Sequence, residues 1–87
     1  MRVRQLHPLM RQDRRLLIRV RDGQMDALAG LFERHGQQCL AGALKVHNDQ
    51  ALADDAVFEA FMQLWRDPPG NQTSIRAWLS TRAEQIA

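Results

Sequence analysis

Residues 54–65 read Asp-Asp-Ala-Val-Phe-Glu-Ala-Phe-Met-Gln-Leu-Trp, a run without glycine or proline that holds two separate sets of side chains. At ~100° per residue on an α-helix, Val57, Phe61, Leu64 and Trp65 fall together, while Asp55, Glu59 and Gln63 recur four residues apart on another side. The first set makes a stripe expected to face a core. Phe58 and Met62 lie between the two sets. An apolar strip bordered by carboxylates suits docking of a basic partner, because the strip can be desolvated while the charged rim orients and speeds the encounter. The same pattern also describes a surface helix with a solvated acidic side.

Working outward, Asn48 or Asp49 can cap this helix, which continues to about Arg66, and Asp67-Pro68-Pro69-Gly70-Asn71 stops it. Thr73 or Ser74 caps a last helix whose apolar side is Ile75, Trp78, Leu79 and Ile86. Upstream, a helical pattern runs from about Gln24 to His47, with Leu28, Leu31, Phe32, Cys39, Ala43 and Val46 inward and a bend expected at Gly36. Before it, Leu9, Leu16, Leu17 and Val20 form a stripe that Pro8 can open and Asp22-Gly23 closes, leaving Arg11, Arg15 and Arg19 on one exposed face. No alternating strand pattern or repeat is present, so the expected fold is all-α, a compact bundle of four helices. The last helix meets no glycine, proline or basic final turn before Ala87, which leads us to expect a fragment or truncated relative of a longer chain.

Eighty-seven residues fit one domain that buries about 60 to 65 % of the surface of its unfolded chain. Arginines and Pro8 break the N-terminal segment, and no run of apolar residues is long enough to span a bilayer, so a cytoplasmic protein without a membrane anchor is expected. The single cysteine, Cys39, fits that compartment. The net charge of +2 hides a polarity. Residues 1–21 carry seven arginines against Asp13, whereas residues 22–87 carry five basic and nine acidic side chains. Such an arm can contact phosphates, neutralise the body of its own or another copy, or simply be solvated.

Chemistry is not expected. Ser74 and Ser80 lack an accompanying His-Asp pattern, no glycine-rich phosphate loop is present, and the adjacent Asp54 and Asp55 project in different directions on a helix. His35 and Cys39 are one turn apart, but a metal site needs more ligands and His47 lies ~12 Å further along the same helix. We therefore expect no metal or cofactor, and a packed cysteine beside a half-exposed histidine. Trp65 and Trp78 could stack on bases, yet both fall on core stripes and are expected to be largely buried.

The stretch ALADDAVFEAFMQLWRDPP (51–69), followed by SIRAWLSTRA (74–83), resembles region 2 of sigma-70 family transcription factors. It is most similar to the extracytoplasmic function (ECF) group, whose chains typically show an Asp, then Gln-Glu, then Phe, a Trp and later Arg-Ala-Trp-Leu. Upstream, Asp22-Gly23, Ala27-Leu28 and Phe32-Glu33-Arg34 resemble the family's opening two helices, so the likeness covers roughly Leu16 to Ala83. On this basis residues 16–87 would be the region 2 unit and residues 1–15 a basic extension.

The resemblance implies a transcription initiation module that binds the RNA polymerase core through the β′ clamp helices and engages melted promoter DNA. Asp55, Phe58, Glu59, Met62 and Gln63 would face polymerase. Asn71, Gln72, Thr73 and Arg76 would meet the displaced strand, with Arg11, Arg15 and Arg19 available to phosphates. Phe58 stands where the family usually has Gln, Arg82 where it has an aliphatic residue and Glu84 where it has a basic one. The other reading is a sigma-like interaction module that binds polymerase or an anti-sigma-type regulator, or forms a homo-oligomer, without melting DNA.

Overall fold

Three sequence breaks divide the described residues into four helices. The computed structural model describes the backbone of residues 8–70 and 74–86 and the side chains from residue 11 onward within them. Helix α1 is Pro8–Arg21, α2 Met25–His47, α3 Gln50–Arg66 and α4 Ile75–Gln85, with no strand among the described residues. Gly23, at φ +80°, ends α1: its N–H reaches Val20 O at 2.9 Å and the Gln24 N–H reaches Arg19 O at 3.0 Å, the paired closure of a Schellman turn. Asn48 adopts the left-handed conformation after α2. The Asp49 carboxylate then accepts from Leu52 N–H at 3.0 Å and starts α3. At α4, Ser74 Oγ accepts from Ala77 N–H at 3.4 Å. Thr73 lies outside the described residues.

The other three helices all pack on α2. This demands small residues where backbones approach. A Cβ at Gly30 would stand 3.3 Å from Leu16 of α1, and one at Gly42 would stand 2.8 Å from the Glu84 carboxylate of α4. Alanines do the same elsewhere: Ala27, Ala43, Ala53, Ala60 and Ala83 are fully buried beside Leu17, Leu31, Leu64 and Leu79. The molecule measures 47 × 30 × 18 Å, so its shortest dimension is about two helix diameters. In so thin a slab no large side chain lies far from water.

That thinness corrects several expectations. Trp65 and Trp78 are half-buried rather than largely buried, because the inner positions of α3 and α4 go to Ala60, Leu64, Leu79 and Ala83. Val46, in the last turn of α2 where no helix covers it, is 55 % exposed. Helix α2 runs unbroken through Gly36, which instead gives room to the Phe32 ring lying 3.3 Å from where its Cβ would stand. Phe32 is itself 52 % exposed, not inward. Helix α4 ends at Gln85 and leaves Ile86 as its C-cap. The Leu9 side chain lies outside the described residues.

A polar cluster fixes α1 against α2. Asp13 is buried and accepts from Arg34 Nε at 2.7 Å through one oxygen and from His35 Nε2 at 2.9 Å through the other. A carboxylate only accepts, so His35 Nε2 carries its proton. His35 is buried, not half-exposed, and its Nδ1 has no partner among the described residues. At the other end of α1 the Arg21 guanidinium donates to the carbonyl of Pro69, tying α1 to the connection before α4. His47 Nε2 donates to Ala83 O at 2.9 Å and satisfies a carbonyl in the last turn of α4.

Cys39 sits on the face of α2 that meets α4. Burial pushes its thiol above the ordinary value of 9.0; a hydrogen bond with Ser80 opposes this and the Glu84 charge adds to it.

Removing Asp13 leaves Arg34 and His35 facing each other without their shared acceptor. Asp13→Ala should therefore cost about 2 to 3 kcal/mol in urea unfolding, with Asp13→Asn, which keeps one acceptor, costing less. Equal stability of Asp13→Ala and the wild type would show that the cluster does not hold α1.

Candidate docking surface

Helix α3 buries Ala53, Ala56, Val57, Ala60, Phe61 and Leu64 and turns its other side outward. Phe58 is 63 % exposed, the most open of the large apolar side chains among the described residues. Asp55 is exposed, and Glu59, Met62 and Gln63 are half-exposed. The five side chains thus form one continuous surface, with Glu59 steadied by Arg66 Nη2 at 2.8 Å. Phe58 does not turn inward.

Beside this surface, side chains of α2 and α3 leave an open groove of about 800 Å³. Its floor and walls include Met25, Leu28, Phe32, Phe58, Phe61 and Met62, and Glu33 and Asp54 stand on it. Phe32 meets Phe61 edge-on, with ring centroids 5.1 Å apart, and keeps its other side open. Periodicity assigned Phe32 to the core and passed over Met25, Glu33 and Asp54. The Phe32–Gly36 spacing was the available signal, since a glycine four residues on lets a ring lie flat along the helix.

The basic residues are divided. Arg11 and Arg15 are exposed. Arg19, expected to share their open face, is half-buried: its guanidinium pairs with Asp26 and its Nε donates to Gln24 Oε1 at 2.7 Å. On α4, Arg76 is exposed, whereas Arg82 lies 4.4 Å over the Trp78 ring. That stacking covers an indole face that a base would otherwise use. Asn71, Gln72 and Thr73 lie outside the described residues.

Among the described residues no group of three His, Cys, Asp or Glu side chains gathers as metal ligands, because His35 turns to Asp13 and Cys39 to Ser80. No helix there is long and apolar enough to cross a membrane.

Because Phe58 is open to solvent, Phe58→Gln should leave the melting temperature nearly unchanged, within ~0.5 kcal/mol of wild-type stability, while changing the affinity of whatever docks on α3. A large drop in melting temperature with unaltered binding would return Phe58 to the core.

A sequence profile of sigma-70 region 2 matches residues 31–87, more than half of the chain, from the second turn of α2 through α3 and α4. No curated protein and no solved structure matches significantly. Sigma-70 region 2 is a domain of transcription initiation factors rather than of enzymes, and binds the RNA polymerase core. An all-α fold with an exposed apolar and acidic α3, joined to this match, places the chain in the sigma-70 region 2 family.

Proposed function

We propose that the chain is an ECF-type region 2 module that docks on the β′ clamp helices of RNA polymerase through the outward surface of α3. The observation that carries this is Phe58, exposed beside the Met62 side chain and flanked by Asp55 and Glu59. An aromatic anchor with a carboxylate rim gives a basic helical partner both area to desolvate and charge to orient it. Gln63 extends the same surface by one turn. In this reading residues 16–87 form the region 2 unit with residues 1–15 as a basic extension, although α1 runs as one helix across that boundary.

Charge reversal tests the assignment. Asp55→Lys with Glu59→Lys should weaken binding to polymerase core by roughly 1 to 3 kcal/mol in a calorimetric titration. Equal binding by wild type and double variant would refute it.

Promoter engagement would fall to Arg76 and to the connection containing Asn71, Gln72 and Thr73, which precedes α4. Arg82 is drawn onto Trp78, and Glu84 lies close to Gly42 on α2. This supports the second reading as far as DNA is concerned: the module binds polymerase, or an anti-sigma-type regulator, and holds DNA weakly. Few exposed cations on α4 mean few phosphate contacts and a shallow salt slope. The isolated chain should accordingly bind a single-stranded promoter oligonucleotide weakly and with little sequence preference in fluorescence anisotropy. Tight, sequence-selective binding at physiological salt would restore the full DNA-engaging role.

A further inference from the structure

We propose that the basic outer face of α1 in one copy of this chain docks in the acidic-rimmed groove between α2 and α3 of a second copy. The proposal rests on reading α3 and its groove as a docking surface. It does not depend on polymerase being the occupant.

Several charges on α1 find no ion-pair partner among the described residues. Arg11 and Arg15 are exposed, Arg14 is half-buried with its Nε buried and unpartnered, and none of the three makes an ion pair among the described residues. Between them, one turn further on, Ile18 is 42 % exposed. The outer side of α1 is therefore an apolar residue set among cations. The groove is its complement: Met25, Phe32, Phe58 and Met62 offer apolar surface, while Glu33, Asp54 and the neighbouring Asp55 carry carboxylates that meet no cation among the described residues. Among the described residues Asp54 accepts from the neutral Gln50 amide alone, at 3.0 Å. Basic and acidic groups left over on different parts of one surface attract between copies, and the apolar centre supplies area to desolvate.

The two faces do not meet within one molecule. Gly30 of α2 receives Leu16 of α1, and Phe32, two positions later, lines the groove. Two positions turn a helix by ~200°, so α1 and the groove lie on different sides of α2. The contact is then between unlike surfaces and leaves each molecule one face to offer again. Its consequence for function is masking, because α1 of the second copy would cover Phe58 and Met62 and compete with polymerase for them.

The test is sedimentation velocity on the 87-residue chain with two charge-reversed variants. One carries Arg11→Glu and Arg15→Glu, the other Asp54→Arg and Asp55→Arg; all four residues are exposed, and unchanged helical circular dichroism checks the fold. For the wild type at low salt the mean mass should rise with concentration over roughly 10 to 300 µM and return to that of a monomer near ~0.5 M salt. Each variant alone should be monomeric, and an equimolar mixture should associate again, since reversed α1 meets reversed groove. The α1 variant should bind polymerase core at least as well as wild type, which separates failure of this proposal from failure of the polymerase reading. A wild type that stays monomeric, a variant that associates like wild type, or a mixture that stays monomeric would each overturn it. So would a monomeric wild type whose oligonucleotide binding is lost in the α1 variant, which would assign those arginines to DNA.

Discussion

Everything in this fold depends on one helix serving three neighbours. Helix α2 takes α1, α3 and α4 on different sides, so little of its circumference is left for large apolar residues pointing at a single core. The sequence meets this with glycine and alanine at the approaches, Gly30 toward α1 and Gly42 toward α4, despite the roughly 1 kcal/mol that a mid-helix glycine gives up against alanine. Leucines Leu17, Leu31, Leu64 and Leu79 then close the remaining space. Phe61 apart, the larger rings lie toward the edges, and Phe32 and Phe58 line the groove.

Most helix boundaries were legible because they have a local cause, the end of α4 at Gln85 being the exception. Pro8 is the first residue of α1, Gly23 supplies a left-handed turn, Asp49 and Ser74 bond to backbone N–H groups, and Pro68-Pro69 cannot continue a helix. The inner stripe Val57, Phe61 and Leu64 was legible for the same kind of reason, since helical periodicity is local. Its outer counterpart around Asp55 and Phe58 followed directly.

What could not be read depends on which helix covers which side. Phe32 and Leu28 share a periodic face of α2, yet only Leu28 is buried, because Phe32 meets Phe61 by one edge alone and leaves its other side to the groove. Trp65 and Trp78 sit on the expected faces but in a slab too thin to enclose an indole. The Asp13, Arg34 and His35 cluster joins residues more than 20 positions apart, and Arg19 found Asp26 across a turn that only the folded chain brings round. Tertiary proximity of charges has no periodic signature. The family resemblance carried further, to region 2 of sigma-70, although it could not foretell that α2 would share an open apolar groove with α3.

The position of Cys39 gives the molecule an internal clock. The only sulfhydryl in the chain lies where α2 meets α4, under Leu79 and Ala83 in the same core, and it is held in its protonated, unreactive form by burial. A thiol reagent reaches it only when α4 lifts from α2, so the labelling rate, set against that of an open thiol, measures how often this part of the fold breathes. The α4 side of the molecule thus reports its own loosening without any added probe, separately from the α1 side that Asp13 secures.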